Sequence, residues 1–133
     1  MENNDYIKIG GSLKCVVALN GTVRDTITGH TQQYKLTSCH IPITEDILIA
    51  CGFVKDVNNV YSTTLQDDSK TCVISCEFLP LKKEYLMTLT DNSGMATFRK
   101  VIIILSELQD WVRVNSGFEL NINEIKLAEA IKK

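Results

Sequence analysis

The first forty positions alternate between apolar and polar residues in short runs, and each run stops at a glycine-bearing break. Runs over 5–9, 12–19 and 22–28 are separated by Gly10-Gly11 and Asn20-Gly21. A period of two puts every second side chain on one face, the pattern of a half-buried strand. Asn-Gly between two such runs predicts a β-hairpin, because both residues tolerate the positive φ of a type I′ turn. Gly29-His30 makes the next break and 33–38 alternates again, so the region 5–39 is expected to curl into a small barrel-like sheet.

The pattern changes at His40-Ile41-Pro42-Ile43-Thr44. Proline holds its approach extended, and Thr44 is placed to cap a helix over 45–51. Glu45 and Asp46 suit the positive end of that helix, Ile47, Leu48 and Cys51 give it an apolar face, and Gly52 stands where a left-handed residue ends it. Phe53 can then fold back onto the last turn. Strands are expected at 60–65, 70–78 and 84–90, with breaks at 56–59, 67–69 and 81–83. Within 70–78, Cys72, Ile74, Cys76 and Phe78 share one face, while Thr71, Ser75 and Glu77 share the other.

Asp91-Asn92-Ser93-Gly94 turns the chain into a further strand at 97–104, rich in β-branched residues. Ser106 followed three residues later by Gln109 reads as a capping box opening a helix over 107–115. Leu105, Leu108, Trp111 and Val112 form its apolar stripe, Glu107, Asp110 and Arg113 point away, and Gly117 stops it. Asn123 is placed to cap a weakly amphipathic tail carrying Ile125, Leu127, Ala128 and Ile131. The expected fold is α+β: one β-rich domain over 1–133, with a hairpin region at 5–39, an α+β region at 44–122 and a helical tail at 123–133.

Composition fits one self-sufficient core: 133 residues, 44% hydrophobic and 23% charged. The longest apolar run, 101–105, is far too short to cross a bilayer, and the first five residues lack the basic and apolar regions of a signal peptide. A cytoplasmic protein without a membrane partner is expected. Five cysteines, Cys15, Cys39, Cys51, Cys72 and Cys76, are spread through core-like stretches, as reduced thiols acting as small hydrophobes are. A net charge of −2 and a pI near 5.6 argue against general nucleic-acid binding, which needs clustered cations to neutralise phosphates.

Each candidate for chemistry meets a plainer explanation. Cys72 and Cys76 would form a metal pair on a helix, but a strand separates them by about 13 Å, too far for one zinc. Cys39 and His40 are neighbours on extended chain and point to opposite sides, so they cannot act as nucleophile and base together. His30 can reach a cysteine only through the fold. Gly10-Gly11-Ser12 and 91–94 lack the glycine, lysine and helix pattern of a phosphate loop, and read as turns. Glu45-Asp46 and Asp67-Asp68 read as a helix start and a loop rather than as acid–base pairs. Trp111 belongs to the core stripe before it is a stacking platform. The remaining candidates are the basic pairs Lys82-Lys83 and Arg99-Lys100, which would form an anion-binding patch if their loops meet at one end of the sheet. No metal, cofactor or catalytic residue is expected.

Ile41-Pro42-Ile43-Thr44-Glu45-Asp46-Ile47-Leu48, closed by Cys51-Gly52-Phe53, resembles a motif of small uncharacterised phage and prophage proteins of Bacteroides-type gut bacteria. Leu108-Gln109-Asp110-Trp111 leading to Gly117-Phe118-Glu119-Leu120 is similar to their second motif, and Tyr6-Ile7-Lys8-Ile9-Gly10 to their opening. Those proteins usually carry His-Gln before the Leu-Gln pair, where this chain has Ser106-Glu107, so no role for that histidine carries over. The resemblance implies a phage-borne accessory protein in a bacterial host cytoplasm. Proteins of that kind work by stoichiometric binding, including against host defences. The expected function is therefore sequestration or blocking of a host protein or of a small anionic ligand such as a signalling nucleotide. The alternatives are a self-associating assembly or virion component, and a small thiol or nucleotide-modifying enzyme.

Overall fold

The computed structural model describes residues 4–9, 12–18, 22–33, 40–91 and 96–132. Two antiparallel sheets and three helices account for them, an α+β architecture as expected. The first sheet is a meander of β1 (Tyr6–Ile9), β2 (Ser12–Ala18), β3 (Thr22–Asp25) and β4 (Thr31–Gln33). The antiparallel pairing of β2 with β3 is the expected hairpin; its Asn20-Gly21 turn and the Gly10-Gly11 turn lie outside the described residues. The expected barrel-like closure does not occur. The sheet stays open because β1 and β4 span only four and three residues and do not pair with each other. One face is covered by helices instead of by the sheet's own curl.

Strand β3 ends three residues earlier than the sequence suggests. Asp25 Oδ1 accepts from the backbone N–H groups of Ile27 and Thr28 at 2.8 and 3.0 Å, and this Asx turn takes the chain out of the ladder. The fourth strand expected at 33–38 begins at Thr31, and 34–38 fall outside the described residues, as does Cys39.

Helix α1 (Glu45–Ala50) is built as its punctuation implies. Thr44 Oγ1 accepts from Ile47 N–H at 3.3 Å. At the other end Gly52 has φ +90°, its N–H donates to Ile49 O, and Phe53 N–H reaches Leu48 O, each at 3.1 Å. A Cβ at Gly52 would also meet Asn121 O at 3.3 Å. Gly52→Ala is expected to lower the unfolding free energy by about 1–2 kcal/mol in urea titrations, with Gly29→Ala, whose surroundings are open, costing less.

The second sheet runs β5 (Val54–Lys55), β6 (Tyr61–Gln66), β7 (Thr71–Leu79), β8 (Glu84–Thr90) and β9 (Ala96–Ile102) in that order. Its inner face buries Tyr61, Leu65, Cys72, Ile74, Cys76, Met87, Leu89 and Ile102. Phe78 shares that parity but is 42% exposed, with its ring centroid 5.1 Å from that of Tyr85. Strand β9 stops two residues before its expected end, because Ile104 becomes the N-cap of α2 (Leu105–Ser116). Residues 41–43 bridge the chain there: Ile43 N–H donates to Ile103 O and Leu105 N–H to Ile41 O.

The capping box is a correction. Helix α2 starts at Leu105 without a side-chain cap, and Ser106 is buried inside the first turn. Gln109 is used at long range instead. Its Oε1 accepts from Tyr6 N–H at 2.8 Å and its Nε2 donates to Asn4 O at 2.9 Å, completing β1's edge. Arg113 does not point away from the core either. Its Nη1 donates to Asp5 Oδ1 at 2.5 Å and to Asp110 Oδ1 at 2.9 Å, and its Nε donates to Glu119 Oε1 at 2.7 Å. A polar seam therefore welds α2 to β1.

The C-terminal segment packs. Asn123 Oδ1 caps α3 (Glu124–Ala130) by accepting from Lys126 N–H, and Leu127 is fully buried. Glu124 Oε2 accepts from Tyr6 Oη at 2.7 Å and Arg24 Nη2 at 2.9 Å, tying α3 to the first sheet. The main core runs from Leu13 of β2 through Leu108, Val112 and Leu127 to Ile74 and Met87, so the helices join the two sheets. Among the described residues no helix is long and apolar enough to cross a membrane.

Candidate binding groove beside strand β9

Strand β9 ends the order of the second sheet, and α2 turns back alongside it after Ile104. Between them lies a cavity of about 430 Å³, lined by Lys100 of β9, by His40 and Ile104, and by Glu107, Asp110, Trp111 and Val114 of α2. Positions 107, 110, 111 and 114 recur at helical spacing, so they share the flank of α2 that faces away from its buried line at Leu105, Leu108 and Val112. Trp111 closes the floor at 8% exposure, whereas Val114 is 76% exposed.

The polar groups of the groove form a rim. Lys100 Nζ lies 3.4 Å from Glu107 Oε1, with both side chains substantially exposed, a pair worth at most about 1 kcal/mol. Asp110 is held by Arg113, and Asn115 Nδ2 donates to Trp111 O at 2.8 Å. His40 is exposed at the mouth. An apolar floor with a weakly paired charged rim suits a partner's side chains rather than a single small group.

Of the four basic residues singled out in the sequence, the fold brings Lys100 into this groove and leaves the others elsewhere. Lys82 and Lys83 sit in the exposed turn between β7 and β8, at the end of the sheet where Tyr85 pairs with Ile102. Arg99 pairs with Thr88 and Lys100 with Met87, so the two are consecutive on β9 and project to opposite faces. The sequence singles out Trp111 as core and His40 only as the neighbour of Cys39. What joins them is the path of α2 past the edge strand, which no local pattern encodes.

None of the described thiols lines the groove. Cys15, Cys51, Cys72 and Cys76 are all buried, and burial pushes the Cys51 and Cys76 thiols up to about 12. Cys72 and Cys76 lie on one face of β7 with Ile74 between them, in the strand spacing. His30 follows the left-handed Gly29 in an exposed turn, its backbone O accepting from Asp25 N–H. A second cavity of about 370 Å³ lies near the other end of α2, but its cation is engaged: Lys70 Nζ donates to Ser116 O at 2.7 Å and stands 4.9 Å from the Phe118 ring centroid.

Comparison with protein-family models, with curated proteins and with solved structures gives no match.

Proposed function

We propose that this chain is a non-enzymatic binding protein that engages a protein partner through the groove between β9 and α2. The observation that carries this reading is the groove itself, an open apolar floor of Ile104, Trp111 and Val114 running beside a sheet edge. The dispersal of Lys82, Lys83, Arg99 and Lys100 favours a protein over a compact nucleotide, whose phosphates need convergent cations. The resemblance to phage accessory proteins supplies the setting of the proposal: a bacterial host cytoplasm, and a partner whose blockade serves the phage, including a counter-defence role.

The test uses two tagged proteins side by side in lysate of a Bacteroides-type host. Val114 is exposed, so Val114→Glu leaves folding intact while placing a buried charge in the complex. A stoichiometric partner retained by the wild-type protein and weakened roughly tenfold or more by Val114→Glu is expected. Equal retention by both, or no stoichiometric partner at all, refutes the groove reading.

A further inference from the structure

The four sheet edges among the described residues are unequal. β5 has two residues, β4 three and β1 four, the short edges by which folded proteins avoid unwanted pairing. β9 has seven. Among the described residues its ladder runs only to β8; the segment 41–43 reaches 103–105 and leaves Phe98, Arg99 and Lys100 exposed. A seven-residue edge beside an apolar groove is the geometry in which a peptide adds to a sheet: main-chain hydrogen bonds supply affinity, and alternate side chains drop into the groove.

We propose that β9 accepts an extended segment of the partner protein as a sixth strand, with a carboxylate opposite Arg99 and aliphatic side chains facing the groove. This rests on the binding reading above and adds the chemistry of the partner. Two observations select that chemistry. Arg99 is exposed on the face of β9 away from the helices and forms no ion pair with a described residue, so it can take a carboxylate from an incoming strand. On the opposite face an incoming side chain meets Ile104, Trp111 and Val114, which are apolar.

The same charges exclude a second copy of this chain. Antiparallel pairing of β9 with itself about a two-fold axis near its centre sets Arg99 against Arg99 or Lys100 against Lys100. Like charges directly opposite in a ladder are destabilising. The edge is thus guarded against itself and open to an acidic strand, attraction and repulsion working together.

The probe is a synthetic peptide, Thr-Val-Glu-Val-Glu-Val-Thr, titrated into isotopically labelled full-length protein and followed by amide NMR. Two controls replace its glutamates with lysines or N-methylate its central valine. Binding of the acidic peptide is expected to perturb and protect amides at 98–101, to weaken with salt, and to be lost on N-methylation. Arg99→Glu is expected to weaken the acidic peptide about tenfold or more, and to bind the lysine peptide better than the wild-type protein does. No binding at millimolar peptide, equal binding of the lysine peptide, or perturbation centred on Lys82 and Lys83 overturns strand addition. A Val114-dependent partner that leaves 98–101 unprotected overturns it too while sparing the binding reading; absence of any such partner removes both.

Discussion

Replacing Asp5 with alanine lowers the free energy of unfolding by about 3–5 kcal/mol, measured by urea titration with circular dichroism. Asp5 is fully buried, and its carboxylate accepts from Arg113, whose own side chain is only 14% exposed. Removing the carboxylate strands a buried guanidinium that already has one nitrogen, Nη2, without a hydrogen-bond partner among the described residues. A charge in that position loses more by desolvation than its bonds to Asp110 and the half-exposed Glu119 return. The double variant Asp5→Leu with Arg113→Met removes both charges. It should be less costly than Asp5→Ala alone, because no unpaired ion remains. A loss under about 1 kcal/mol for Asp5→Ala would mean that water reaches Arg113 and that the seam holds nothing together.

The seam bears on the groove through geometry. Gln109 and Arg113 lie on one flank of α2 and fasten it to β1, while Glu107, Asp110, Trp111 and Val114 lie on the flank that faces β9. The rotation of α2 about its axis is thereby fixed, and with it which side chains the groove presents. Asp110 belongs to both sets, bonded to Arg113 and lining the cavity. Loosening the seam is thus a route by which a substitution on β1 can alter a groove it never touches.

Elements whose cause is local were legible from residues alone. Thr44, Gly52 and Phe53 define α1 because a cap and a left-handed stop are decided within one turn. The alternation of Cys72, Ile74 and Cys76 placed β7 with its buried face inward, because period two is a property of the strand itself. Gln109 shows where such reasoning stops. Three residues after Ser106 it has the spacing of a capping partner, yet it bonds Tyr6 and Asn4, more than a hundred positions away. A sequence window cannot distinguish the two uses, since both ask for an amide at the same place. Arg113 escapes the local pattern for the same reason: its polarity says surface, and only the arrival of Asp5, just before β1, makes an inward position affordable. The groove was legible in parts, as Trp111, His40 and Lys100, but its assembly depends on residues 41–43 pinning the β9 to α2 turn.

Alkali destabilises this protein above about pH 9, and two buried thiols contribute a large part of the loss. Cys51 and Cys76 are fully buried, and burial raises each from an ordinary 9.0 to about 12. Between those values the unfolded chain has released its thiol protons and the folded chain has kept them. The folded state therefore binds more protons, and stability falls as pH rises. Below about pH 9 the contribution is fully present. At pH 10.5 each thiol costs about 2 kcal/mol, so the pair costs about 4 kcal/mol relative to pH 8. Tyr6 and Tyr61, also raised chiefly by burial and further by their bonds to Glu124 and Glu45, steepen the decline in the same direction. Urea titrations at pH 8 and at pH 10.5 measure the difference. The double variant Cys51→Ala with Cys76→Ala is less stable at pH 8, because it leaves two small cavities, but it should lose far less between the two pH values. If the wild-type and double-variant slopes coincide, the thiols ionise inside the folded protein, and the core around α1 and β7 admits water.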